Sequence, residues 1–228
     1  MSGIFRRFGE DDDRTYEEKR NDLVDNLERK GYVKTEEVSE AMRKVPRELF
    51  VPDQVKSAAY IDSPQPIGRG QTISAPHMVA IMVEELDIKK GQNILEVGGG
   101  RGYHAAVISE LIGEGGKVYS VELIDELARS AQDALEKGGF DNVEVVIGDG
   151  SKGYEEAAPY DRISVACGAP EIPKPMIYQL KKDGKILIPV GGQYYQTLYR
   201  ATKIKENKIE KEDLGGVLFV PLKGEYGY

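Results

Sequence analysis

The sequence predicts an α/β fold: a mostly parallel sheet flanked by helices, an antiparallel strand at one edge, and a helical subdomain at the N-terminus. Three observations carry this. From about residue 94 onward, short apolar runs alternate with helical patterns, the mark of β-α-β units. Glycine, 26 of 228 residues, gathers in doublets and one cluster between those runs rather than in a low-complexity tract. Hydrophobic residues make up 40% and charged residues 31%, enough to build a core and too apolar for a disordered chain.

The elements follow in order. Glu10-Asp11-Asp12-Asp13 reads as a solvated tail, so residues 1–14 are expected to be flexible. Thr15-Tyr16-Glu17-Glu18 is a capping box, a hydroxyl and a carboxylate three apart that satisfy free amides at a helix start. Leu23, Val24 and Leu27 then recur at helical spacing, and Gly31 stops the run. A second helix starts near Thr35, buries Val38, Met42 and Val45, and ends before Pro46. Residues 52–76, rich in Pro, Gly and Ser, read as one long irregular segment, and long loops inside compact domains are often functional. A helix from Pro76 to Leu86 has its proline where a helix start tolerates one. Strands are predicted at Ile94–Val97, Val118–Val121, Val143–Ile147, Arg162–Ala166 and Lys185–Val190, with helices at 103–112, 124–137 and 174–182. Gln196 to Lys203 and Gly216 to Pro221 read as a last pair of strands around a polar turn. The organisation expected is a tail (1–14), N-terminal helices with a substrate loop (15–76), and an integrated α/β core (77–228).

Composition narrows the function. Lys+Arg minus Asp+Glu is 31 − 39, a net charge of −8, which disfavours nucleic acid and anionic membranes as partners. The single cysteine, Cys167, forms no intrachain disulfide, and with two histidines it leaves little material for a zinc site, so no metal is expected. No apolar run is long enough for a transmembrane helix, and the N-terminus lacks a secretory apolar stretch. A cytoplasmic, soluble protein is expected, monomeric by default.

The informative stretch is Glu96-Val97-Gly98-Gly99-Gly100-Arg101-Gly102, between a strand and a helix. Glycines there let backbone approach a ligand, and a helix N-terminus favours negative charge. A dinucleotide fingerprint needs a third glycine or alanine where Tyr103 stands. The observed Gly-x-Gly-x-Gly, with an acid two residues before it, matches the S-adenosylmethionine (SAM) loop of Rossmann-like methyltransferases; an ordinary glycine-rich turn is the alternative. Glu122, with Leu123 beside it, ends the next strand, where an acid can accept both ribose hydroxyls. Asp149 follows the third strand in Gly148-Asp149-Gly150, placed to take the adenine amino group, with Gly150 letting the base lie flat. A turn-forming Asp-Gly pair competes with that reading. Ligands of open α/β sheets bind at the edge where these three loops fall.

Several further stretches carry a family resemblance. Met42-Arg43-Lys44-Val45-Pro46-Arg47-Glu48-Leu49-Phe50-Val51-Pro52, Ala59-Tyr60-Ile61-Asp62 and Gly70-Gln71-Thr72-Ile73-Ser74-Ala75-Pro76-His77-Met78 resemble the protein-L-isoaspartate O-methyltransferase family. Ala169-Pro170, Pro189-Val190-Gly191 and Phe219-Val220-Pro221-Leu222 fall where that family has them, so the likeness runs from about residue 20 to 222. The sequence departs from it at Gly99, where Thr or Ser is usual, at Arg101, where a small residue is usual, and at His104, where Gln or another residue is often found.

The resemblance implies a Rossmann-like SAM-dependent methyltransferase. It acts on the α-carboxylate of L-isoaspartyl residues in damaged proteins and peptides, with D-aspartyl residues as a further acceptor. Such a carboxylate is ionised at pH 7, its ordinary pKa being near 4, so the reaction needs no general base. The protein must supply alignment, which in the ideal limit is worth roughly 7–11 kcal/mol. The resemblance makes Ser74 the active-site residue, its hydroxyl donating to the substrate carboxylate; pattern alone reads Ser74 as the cap of the helix that follows. Thr72, Ile73, Ala75 and His77 complete the expected substrate loop. Cys167 is expected to be an inert, partly buried thiol.

Other classes fit less well. Ala166-Cys167-Gly168-Ala169-Pro170 lacks the Asn/Asp-Pro-Pro-aromatic motif of amino-methylating nucleic-acid enzymes. No Gly-x-Ser-x-Gly elbow of a hydrolase occurs. A methyltransferase for RNA or a small molecule, or a catalytically silent SAM- or peptide-binding module, is the alternative.

Overall fold

The computed structural model describes residues 13–206 and 208–228. The expected tail, apart from residues 13 and 14, lies outside them. Helix α1 (Tyr16–Arg29) carries both halves of the capping box, and α2 (Glu36–Lys44) is capped by the Thr35 side chain. Leu23, Val24, Leu27, Val38, Met42 and Val45 are buried as their spacing predicts.

A seven-stranded sheet holds β3 (Asn93–Val97), β4 (Lys117–Glu122), β5 (Val143–Ile147), β6 (Tyr160–Val165), β7 (Leu180–Gly192), β8 (Tyr195–Lys205) and β9 (Lys208–Val217). The order is β5-β4-β3-β6-β7-β8-β9. The pairings from β5 through β7 are parallel, and β8 and β9 are antiparallel. After β3 the chain builds outward through β4 and β5, then returns to place β6 on the other side of β3. That reversal makes a crevice beyond the strands' C-terminal ends, where open α/β sheets bind ligands. Helices α3 (Pro76–Leu86), α4 (Tyr103–Ile112), α5 (Asp125–Gly138) and α6 (Lys174–Gln179) pack around the sheet. Buried residues of α1 and α2 join those of α3, α4 and α5 in one continuous core, so the N-terminal helices lean on the elements that frame the crevice. Among the described residues, no helix is long and apolar enough to cross a membrane.

Three expectations need correction. The segment 52–76 is not wholly irregular: 3-10 turns span Asp53–Ala58, and a hairpin joins β1 (Gln65–Gly68) to β2 (Gln71–Ile73). Its turn runs through Gly68, Arg69 and Gly70, all at positive φ, and the prolines nearby mask so short an alternation. The helix at 174 ends at Gln179 rather than 182, because Asp183, at φ +62, belongs to an irregularity in the long strand β7. The last strand is Lys208–Val217, not 216–221. It is a charged, exposed edge strand with no apolar alternation to betray it, a common protection against edge pairing.

Candidate active site

Four loops at the C-terminal ends of β3, β4, β5 and β6 meet under the β1–β2 hairpin. The pocket they form is walled by Glu96 and the glycine loop, by Glu122, Leu123 and Ile124, by Gly150, by Ala166 and Cys167, and by the segment Val220 to Lys223. Ile67, Gln71, Thr72, Ile73 and Ser74 of the hairpin and the residue after it close it from above. The glycine loop is tightly fitted. A Cβ at Gly98, whose φ is +82, would sit 2.5 Å from the Cys167 Sγ, and one at Gly99 would sit 2.1 Å from the Ser120 Oγ.

Two acids stand side by side here with different partners. Glu122 accepts the Gly100 amide on Oε2 and the Ile124 amide on Oε1, both at 2.8 Å, and so ties two loops together. Burial raises its pKa, and the Ile124 and Gly100 amides pull against that shift. Glu96 is fully buried. The Ser120 hydroxyl donates to its Oε2, while its Oε1 has no hydrogen-bond partner. Burial pushes Glu96 up to about 7; the Ser120 bond opposes the shift and the neighbouring Glu122 charge adds to it. His104, one residue into α4, holds its Nδ1 3.4 Å from Glu96 Oε1, and its buried Nε2 has no partner. Burial lowers its pKa to about 4, so the ring is neutral at pH 7. Arg101 lines the same pocket with its buried Nε unpartnered. Buried polar atoms are normally hydrogen-bonded, so three orphans in one pocket mark a place where a polar ligand fits.

Ser74 is not a helix cap. The N-cap of α3 is Ala75, with no side-chain capping bond, and the Ser74 hydroxyl makes no hydrogen bond among the described residues. Its carbonyl is held instead, at 2.8 Å, by Nη2 of the fully buried Arg47. The Arg47 Nε bonds the Ala59 carbonyl at 2.8 Å, and its guanidinium lies 4.6 Å from the centre of the Tyr103 ring at the start of α4. One side chain thus joins the hairpin exit to the cofactor-loop helix.

Thr72 and Ser74 also line a second, mostly apolar groove with Pro64, Ala75, His77, Met78, Ala166 and Leu218 to Val220. The two cavities share Thr72, Ser74, Ala166 and Val220. The predicted loop therefore divides. Thr72 and Ser74 sit at the junction, Ile73 faces the first pocket, and Ala75 and His77 face only the groove. His77 is committed to Asp62, whose Oδ1 accepts its amide at 2.9 Å and lies 2.8 Å from its Nδ1.

Asp149 stands apart from the pocket wall. Its Oδ1 accepts from the Ser151 amide and hydroxyl, at 3.0 and 2.6 Å, and its Oδ2 accepts the Glu225 amide at 2.9 Å. Those bonds outweigh burial and hold its pKa below the ordinary value. The carboxylate fixes the Gly150 turn and the C-terminal segment; Gly150 itself reaches the pocket. Cys167 lines the pocket as a thiol that burial pushes up to about 12, hence inert at neutral pH. Ser120, Ile67 and Leu222 were missed by the sequence reading. Ser120 sits mid-strand, where a lone hydroxyl gives no motif.

Sheet order, glycine loop and paired carboxylates define the class, a Rossmann-like methyltransferase. The family model for protein-L-isoaspartate(D-aspartate) O-methyltransferase matches residues 18–227. A protein-L-isoaspartate O-methyltransferase from Hyperthermus butylicus is 52% identical over 225 residues, covering 95% of this chain and 93% of that one. A second from Archaeoglobus fulgidus is 55% identical over 213 residues, covering 93% and 96%. Among solved structures, a Plasmodium falciparum protein assigned to the same activity, in complex with S-adenosyl-L-homocysteine, superposes with a TM-score of 0.80 at 29% identity, covering 90% of this chain and 98% of that one. The chain belongs to the protein-L-isoaspartate O-methyltransferase family.

Proposed function

We propose that this protein transfers a methyl group from SAM to the α-carboxylate of L-isoaspartyl residues in damaged proteins and peptides, with Ser74 aligning the acceptor. The observation that supports this most is the junction. The polar pocket and the apolar groove meet at Ser74, whose hydroxyl is uncommitted while its backbone is clamped by Arg47. D-aspartyl residues, which the family description includes, are the secondary acceptor.

The pocket residues fit the cofactor. Glu122 retains lone pairs for the ribose hydroxyls after accepting its two amides. Gly98, Gly99, Gly100 and Gly102 offer backbone at close range, and Leu123 and Gly150 offer surfaces for the base. When bound, SAM supplies a methyl group already activated on a sulfonium. The Ser74 hydroxyl donates to one oxygen of the acceptor carboxylate and leaves the other to attack; Thr72 is a second donor at the same junction. Neither His77 nor Cys167 has to take a proton, because the acceptor is ionised near neutrality. Charge disappears as carboxylate and sulfonium become ester and thioether. A cation bonded to the carboxylate would stabilise the ground state more than the transition state and slow the step. Arg47 stands behind the Ser74 carbonyl, which suits that requirement. The Ile67 side chain over Gly100 helps exclude water.

Flexible chains are the better acceptors, since the isoaspartyl unit must enter the groove. A cytoplasmic location belongs to the same proposal and rests on the single free thiol. The test is transfer from labelled SAM to a synthetic isoaspartyl peptide beside its aspartyl twin. Label on the isoaspartyl peptide alone is expected; equal label on both, or none on either, overturns the reading.

A further inference from the structure

The pocket holds two buried polar atoms that the fold leaves unpaired, Glu96 Oε1 and His104 Nε2, on neighbouring side chains. The His104 side chain is 9% exposed, and Nδ1 rather than Nε2 faces the carboxyl, at 3.4 Å. Both residues line the cofactor pocket. Burying an unpaired imidazole nitrogen costs free energy, which a well-packed helix start could avoid with an apolar residue. Its retention is explained if a ligand atom completes it.

The neutral ring has one donor nitrogen and one acceptor. When Glu96 is ionised, Nδ1–H turns to its Oε1 and Nε2 carries the lone pair. A lone pair beside a carboxyl, with no cation from the protein bonded to either, is a receptor for a positively charged N–H donor. We propose that His104 is a cofactor-binding residue that accepts a hydrogen bond on Nε2 from the α-ammonium group of SAM. The inference rests on the function proposed above and adds a residue outside the set predicted from sequence. Glutamine, which also carries an acceptor, is a substitute that this role tolerates.

The experiment is equilibrium binding by calorimetry to wild type, His104→Phe and His104→Gln. Phenylalanine fills the space without an acceptor, and glutamine restores one. Three probes are used: S-adenosylhomocysteine; its decarboxylated analogue, which keeps the amine; and methylthioadenosine, which lacks the whole amino-acid end. Losing a hydrogen bond to a charged group corresponds to a Kd rise of about tenfold or more. His104→Phe is expected to lose that much for the first two probes and less than about twofold for methylthioadenosine. His104→Gln is expected to recover most of the loss. Equal losses on all three probes would mean a general packing role and overturn the assignment. A loss on S-adenosylhomocysteine but not on its decarboxylated analogue would move the contact to the carboxylate and overturn it too. Unfolding midpoints of both variants check that the pocket survives. Wild-type protein that binds none of the probes would instead refute the cofactor reading itself.

Discussion

Replacing Glu96 by glutamine should make the protein more stable in alkaline solution while weakening its hold on the cofactor. The carboxyl is fully buried, and burial lifts its pKa from an ordinary 4.5 to about 7. Between those values the folded state keeps a proton that the unfolded state releases. Folding stability is therefore unaffected by this group below pH 4.5 and declines as pH rises through 7. Integrated over that window, the decline is about 3 kcal/mol at 1.36 kcal/mol per pKa unit. Glutamine has the shape of the protonated acid and no such slope. The assay is equilibrium denaturation of wild type and Glu96→Gln from pH 4 to pH 8, comparing how their difference changes rather than its absolute size. Glu122 and His104 are present in both proteins, so their titrations largely cancel. The variant should gain about 3 kcal/mol relative to wild type across the range. A pH-independent difference would refute the claim that the buried carboxyl ionises at a cost. The same cost explains a second expectation: a cation binding beside Glu96 favours its ionised form, so S-adenosylhomocysteine should bind more tightly at pH 8 than at pH 6 and release protons near pH 7.

Further outcomes follow from the packing. A side chain at Gly99 collides with the Ser120 hydroxyl, so Gly99→Ser should cost about 1–3 kcal/mol. Adding Ser120→Ala removes the hydroxyl that the new side chain meets, and the double variant should recover at least ~1 kcal/mol in a mutant cycle; simple additivity would contradict the packing described. Arg47→Met frees the Ser74 carbonyl without touching either cavity. Its kcat should fall about tenfold, equal to ~1.4 kcal/mol of barrier, with S-adenosylhomocysteine affinity within roughly threefold. Equal losses in both would make Arg47 merely structural.

What could be read from the sequence was whatever has a short-range signature. Thr15 and Glu18 announce a helix start because both halves of the box lie within one turn. Tyr103–Ile112 and Val143–Ile147 match the prediction residue for residue, since apolar runs and glycines bound them. Strand β9 was misplaced because an exposed edge strand such as Lys208–Val217 need not alternate apolar and polar residues. The glycine loop and Glu122 were legible as a cofactor site because their spacing is local to two strand ends. Ser120 and Arg47 were not recognised as site residues. Their contacts to Glu96 and to Ser74 span 24 and 27 positions, and no pattern within a window shows which side chain will arrive there. Asp149 shows the converse: a residue at the expected place whose Oδ1 accepts from Ser151 and whose Oδ2 accepts from Glu225, in a C-terminal segment that the local motif does not include.

The most direct test of the account is Ser74→Ala, assayed twice on the same preparation. One assay is methyl transfer to an isoaspartyl peptide at saturating SAM; the other is equilibrium binding of S-adenosylhomocysteine. If the hydroxyl aligns the acceptor, transfer falls by about a hundredfold, the scale typical of losing one oriented hydrogen-bond donor, and affinity is unchanged. Unchanged turnover would contradict the assignment of Ser74, and with it the claim that the two cavities meet at the reacting carboxylate.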